Sequence, residues 1–206
     1  MITVLMTAWP KSPERIDYMR RSCESMRNGL SGPIGRWIVS CETEGVTEDI
    51  TAPEGWELWC RTGPAQLASH LNELLASLTG PVFYTQDDIL LTEPLDLSGA
   101  VNVIHGGADM VRFRYERPEE FPPATQETFH QLPCDVKYLY SAFSVMFAPD
   151  FMRKYGKLPE RRKHEHTMNR RLKKSKANVW IRLPIVVRHI GVNSLIRPGK
   201  VWKCSM

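Results

Sequence analysis

The apolar positions change period along the chain, and the changes mark out its elements. Residues 2–7, ITVLMT, form a short apolar run of strand type that ends at Ala8, Trp9 and Pro10. Ser12 and Pro13 then supply an N-cap and a first-turn proline. Ile16, Met19, Cys23, Met26 and Leu30 follow at helical spacing, with Asn28 and Gly29 near the stop. RWIVSCE (36–42) and WELWC (56–60) predict a second and a third strand. Gly63 and Pro64 open a helix whose Leu67, Leu71, Leu74, Leu75 and Leu78 form one apolar stripe, closed by Gly80. PVFYT (81–85) predicts a fourth strand, which delivers Asp87 and Asp88 at its C-terminal end.

The second half has a different rhythm. ADMVRFR (108–114), YLYSAFSVMFA (138–148), VWIRL (179–183) and IVVRHI (185–190) predict strands, with a proline-rich loop from Pro118 to Pro133 and one basic helix near 164–175. Neither an internal repeat nor a low-complexity segment interrupts it. Strands alternating with helices imply βαβ units and a largely parallel sheet, and such sheets bind ligands beyond the carboxyl ends of their strands. Asp87 and Asp88 fall there, as do Thr7, Ala8 and Trp9.

Composition alters this picture little. A chain of 206 residues fits one domain with its own core, and 42% hydrophobic with 24% charged residues is ordinary for a globular protein. The cysteines, Cys23, Cys41, Cys60, Cys134 and Cys204, are odd in number and never at CxxC spacing. They suit reduced thiols in a cytosolic protein better than a disulfide framework or a zinc site. MITVLMTAWP lacks the features of a signal peptide and no apolar run is long enough to span a bilayer. The expectation is a cytoplasmic protein, in the host cytoplasm if the source is viral.

Charge alters it more. Residues 1–152 carry 11 Lys and Arg against 21 Asp and Glu, residues 153–206 carry 16 against 2, and a net of −10 is thus followed by one of +14. The basic quarter either faces a polyanion, neutralises anionic ligand groups, or forms a solvated helix face. The excess continues through Arg182, Arg188, Arg197, Lys200 and Lys203, beyond any single helix.

A β/α half, an acidic doublet ending a strand, a mixed second half and a late histidine together resemble the GT-A class of nucleotide-sugar glycosyltransferases. Members often carry a helix with an Asn, then a Gly, then an apolar strand closed by a DxD-like motif. The succession here is Asn72, Gly80, PVFYT and QDD. Gln86 stands where a strict DxD has its first carboxylate, which leaves open which Asp binds metal. The resemblance implies an α/β fold, a single GT-A-like domain over 1–206. Its Rossmann-like β/α half (1–100) would bind the nucleotide sugar, and a mixed central sheet would lead to a short acceptor-side half (101–206). The size suits a small phage-type or bacterial member.

The resemblance also implies chemistry. A nucleotide sugar leaves as a nucleoside diphosphate, and Mn²⁺ or Mg²⁺ across the phosphates stabilises the charge on the leaving oxygen. Asp88 is the expected ligand, with Asp87 directed to the ribose or the sugar; the alternative is an Asp pair capping a turn. His189, which closes an apolar strand in RHIGVNS, would complete the metal site; the alternative is a half-buried histidine bonded to backbone. Glu165, at the start of the basic helix, would take the proton from the acceptor hydroxyl as general base; the alternative is a first-turn acid favoured by the helix dipole. His164 and His166 flank it but diverge on a helix, which argues against zinc. Thr7, Ala8, Arg15, Glu42, Arg61, Gln66 and Asn72 are expected around the base and ribose of a UDP-sugar, although each position equally suits a structural role.

Two functional classes follow. One is a metal-dependent glycosyltransferase, acting on a cell-surface glycan or, as some phage enzymes do, on hydroxymethylated pyrimidines in DNA. The other is a nucleic-acid-binding module with the basic region as its footprint. No RNP-type aromatic motif, zinc finger or helix-turn-helix supports the second.

Overall fold

A computed structural model describes residues 1–42, 50–61, 67–114, 126–141, 143–159 and 164–190. In chain order the elements are β1 (Ile2–Ala8), α1 (Pro13–Gly29), β2 (Leu30–Ser31), β3 (Ile34–Glu42), β4 (Glu57–Arg61), α2 (Leu67–Ser77), β5 (Val82–Gln86), β6 (Ile89–Leu91), β7 (Leu95–Asp96) and α3 (Ser98–His105). After these come β8 (Met110–Arg112), β9 (Thr128–Gln131), β10 (Val145–Phe147), α4 (Phe151–Tyr155), α5 (His164–Lys174), β11 (Val179–Leu183) and β12 (Val187–His189).

Every residue of β1 is buried, because helices cover both faces of the sheet it centres. Val4, Met6 and Ala8 pack on one face against Met19, Cys23 and Met26 of α1 and Ala100 and Ile104 of α3. Leu5 points the other way, into a core with Leu71 and Leu74 of α2, Phe151 of α4, and Met168 and Leu172 of α5. The eight-stranded sheet runs β4-β3-β1-β5-β10-β8-β11-β9. β4, β3, β1 and β5 are mutually parallel, and β8 with β11 forms a second parallel pair. The reversed β10 joins β5 to β8, so the carboxyl ends of β1, β3, β4, β5, β8 and β11 share one edge.

The first half follows the periodicity closely, including the Ser12 cap, whose hydroxyl accepts from the Arg15 N–H at 3.3 Å. Elsewhere the chain departs from it in three places. The run 138–148 pairs only over Val145–Phe147. Upstream, the Asn169 side chain takes both backbone groups of Tyr140, accepting from its N–H at 2.8 Å and donating to its carbonyl at 3.2 Å. Leu139 and Tyr140 are therefore buried by docking on α5. Within the stretch expected as loop, β9 adds antiparallel to the edge of β11. Residues 89–105, which carry no long periodic signal, form β6, β7 and α3.

The opposite edge is fastened by Asp109, which is 5% exposed. Its carboxylate accepts from Lys154 Nζ at 2.8 Å, Tyr155 hydroxyl at 2.6 Å and Asn178 N–H at 2.8 Å, tying β8 to α4 and to the start of β11. α5 runs towards this edge. Arg171, Lys173 and Lys174 consequently lie in the last turn of the helix, at the opposite end from Glu165. Asp109→Ala should lower stability by about 2–4 kcal/mol in urea unfolding, because Lys154 and Tyr155 lose a buried acceptor; a loss below about 0.5 kcal/mol would contradict this role.

Candidate functional site

The acidic turn after β5 is held through its main chain. Asp87 N–H donates to Thr7 carbonyl at 3.1 Å, and Ser22 of α1 donates its hydroxyl to Asp87 carbonyl at 2.8 Å. β12 adds antiparallel to β6 with His189 opposite Ile89, and Ile190 N–H closes on Asp88 carbonyl at 2.8 Å. The two carboxylates and His189, distant in sequence, thereby meet at the carboxyl edge of the sheet.

Both carboxylates are nearly enclosed, Asp87 at 2% and Asp88 at 8% exposure. Arg15, set in the first turn of α1 by the Ser12 cap, bridges them: one guanidinium nitrogen donates to Asp87 Oδ1 and the other reaches Asp88 Oδ2 at 3.4 Å. Trp9 N–H donates to Asp87 Oδ2 at 3.3 Å. His189 Nε2 stands 3.1 Å from Asp88 Oδ2, and the ring of Phe143 meets the His189 ring edge-on at 6.2 Å. Asp88 Oδ1 is buried without a hydrogen-bond partner among the described residues.

The environment separates the two acids. Burial, aided by the neighbouring charge of Asp88 and opposed by Arg15, pushes the Asp87 carboxyl up to about 6. Burial acts upward on Asp88 too, but the hydrogen bond and charge of His189, with Arg15, outweigh it and hold that carboxyl below its ordinary range. Asp88 is thus the acid kept ionised beside an imidazole. Donors about 2.0–2.2 Å from one cation and at right angles lie about 3 Å apart, which the Asp88–His189 spacing matches. The orphaned Oδ1 fits a hard cation as well. Among the described residues no cluster of three His, Cys, Asp or Glu side chains could hold a metal.

The other candidates are placed as follows. Thr7 and Ala8 lie buried beneath the pair, with Thr7 hydroxyl 2.9 Å from Tyr84 hydroxyl. Glu42 and Arg61 are register partners at the ends of β3 and β4. Glu42 faces His70 at 3.6 Å, while Arg61 donates to Ser69 at 3.2 Å and Glu73 at 3.0 Å. Gln66 lies outside the described residues. Asn72 departs from expectation: its amide is spent on Leu158, accepting from the N–H at 2.7 Å and donating to the carbonyl at 2.8 Å, and this pins α2 to the segment before α5.

Glu165 sits half-buried in the first turn of α5, close enough to Tyr140 for its charge to add to the burial that raises that phenol. Tyr140 and Tyr84 both stack on Phe147, at 6.5 and 6.3 Å, and the charges of Asp87 and Asp88 reach Tyr84 in turn. A shared aromatic wall thus connects the acidic turn to the Glu165 side. Sequence reading placed Trp9 at this edge, directly after a strand end, but missed Ser22 and Phe143 as supports, neither of which carried a local signal.

This arrangement can be set against known proteins. The chain matches no protein-family model and no curated protein. Among solved structures it is similar to S. aureus TarS, a glycosyltransferase, with a TM-score of 0.61 at 10% identity over 92% of this chain. A second TarS structure, of residues 1–349, gives a TM-score of 0.59 at 9% identity, also over 92% of this chain. The likeness is one of fold: a single α/β domain with a mixed eight-stranded central sheet. The chain spans 36% of the first TarS chain and 60% of the second.

The enclosed Asp87 generates a stability prediction. Because its folded value of about 6 exceeds the ordinary value of about 4, the folded chain keeps a proton there that the unfolded chain has lost across that window. Stability contributed by this group therefore falls as pH rises from about 4 to about 6, and is level above that. Wild type should lose about 2–3 kcal/mol relative to Asp87→Asn between pH 4 and pH 7 in urea unfolding, the opposing trend of Asp88 being common to both. A pH-independent difference would show that Asp87 is not held in this way.

Proposed function

We propose that the protein transfers a glycosyl group from a nucleotide sugar, UDP-linked, to an acceptor hydroxyl. The observation that carries the reading is Asp88: an ionised, buried carboxylate with one oxygen against His189 and the other orphaned, at the carboxyl end of β5 in a glycosyltransferase-like fold. Asp88 and His189 would hold Mn²⁺ or Mg²⁺, which when bound supplies positive charge to the leaving diphosphate.

The chain's own groups account for the remainder. Arg15 lies beside the same carboxylates and offers a guanidinium to the diphosphate. Thr7, Ala8, Glu42 and Arg61 belong to the side where the base and ribose would lie, Gln66 is read as a further contact there although it lies outside the described residues, and Asp87 would line the ribose or sugar from beneath, held by Arg15 and Trp9. Asn72, occupied by Leu158, has no part in binding. Glu165 accepts the acceptor's proton as its oxygen bonds to the anomeric carbon and the bond from that carbon to the phosphate oxygen breaks. The acceptor is read as a polyanion on the strength of the basic C-terminal region, DNA with hydroxymethylated pyrimidines being the form closest to that charge.

Nucleotide sugars screened by thermal unfolding with and without Mn²⁺ test the donor, since a specific ligand raises stability by mass action. A UDP-sugar should stabilise wild type in a Mn²⁺-dependent way and Asp88→Ala hardly at all. With an acceptor in hand, Glu165→Gln should turn over about 10² to 10⁴ times more slowly with donor binding intact. Equal stabilisation in EDTA would remove the metal from the reading, and near-normal turnover would remove Glu165.

A further inference from the structure

Arg114, two residues beyond β8, stands on the same edge as the acidic turn. It is half-buried, and its contact is the ring of Phe143, with its guanidinium carbon 5.5 Å from the ring centre. Phe143 is in turn the residue that meets His189 edge-on. Among the described residues no carboxylate or carbonyl accepts from Arg114. The half-buried Arg15 and Arg61 both bond to carboxylates, and the buried Arg182 bonds to Glu127.

A half-buried cation without a counter-charge is costly. An aromatic seat returns only part of that cost and leaves the N–H fork open. Such a guanidinium is prepared for an oxyanion bound through two parallel hydrogen bonds.

The position narrows what that oxyanion belongs to. In the sheet, β8 lies two strands from β5, about 10 Å away, on the side opposite β1, β3 and β4 where the nucleotide is placed. α5, which carries Glu165, packs on this same half through Asn169 and Tyr140.

We infer that Arg114, seated on Phe143, is the receptor for a phosphate group that the acceptor carries near its reacting hydroxyl. The inference rests on the glycosyl-transfer reading for the word acceptor, but the phosphate contact can be measured without it. A phosphodiester is the shared chemistry of a nucleic-acid strand and of a phosphorylated polyol, and two short probes separate the sources: a thymidine dinucleotide and a diglycerol phosphodiester.

Each probe is titrated into the full chain, with UDP and Mn²⁺ as a separate titration, for wild type, Arg114→Gln and Arg114→Lys. At least one probe should bind wild type saturably and bind Arg114→Gln about tenfold or more weakly, the loss expected of a charge-assisted fork. UDP affinity should be unchanged. Arg114→Lys keeps the charge without the fork and should lose about threefold; if the Gln variant does not fold, this variant carries the test. Probe binding that is absent in wild type, or unchanged in the folded variants, overturns the inference. So does an equal loss for UDP, which would place Arg114 on the donor side. Failure of wild type to bind UDP falls instead on the glycosyl-transfer reading, because neither phosphodiester titration depends on it.

Discussion

Two adjacent carboxylates in a turn almost closed to water repel one another and forgo solvation, and the rest of the site depends on how that is offset. Arg15 supplies the counter-charge from α1, and His189 adds a second polar partner from β12. Neither helix nor strand could shift without leaving an enclosed acid unpaired, a state costing several kcal/mol. The capping of α1 by Ser12, the hydroxyl of Ser22 on the turn's backbone and the pairing of β12 with β6 are all means of holding those two partners in place.

The compensation is uneven, and that unevenness gives the site its chemical character. Asp87 is satisfied on both oxygens, yet burial still leaves it easy to protonate. Asp88 is kept ionised with an oxygen to spare. Such a division between neighbouring acids suits one for shaping the site and the other for binding positive charge. The arrangement sits at the carboxyl ends of parallel strands, where an α/β sheet exposes loops that can differ without disturbing the core.

The parallel half was legible because long, strictly periodic runs were bounded by strong signals: Ser12 and Pro13 before α1, Gly80 before β5. Asp87, Asp88 and His189 were found because each closes an apolar run. What was missed depended on distant partners. Asn169, far along the chain, converts the strand-like residues around Tyr140 into a docked segment. The prolines before residue 134 concealed β9, whose edge position needs only one neighbour. Asn72 was assigned to the ligand from motif position, whereas folding gives its amide to Leu158. Arg114 and Phe143 lay in runs read only as strands, and their meeting beside His189 is a product of topology that no local pattern records.

The central claim is that Asp88 and His189 together form a cation site completed by a nucleoside diphosphate. Anomalous diffraction at the manganese edge, from crystals grown with UDP and Mn²⁺, tests it directly. One manganese bonded to Asp88, His189 and the diphosphate is the result predicted. Bound UDP with no manganese, or with manganese bonded elsewhere, would contradict it.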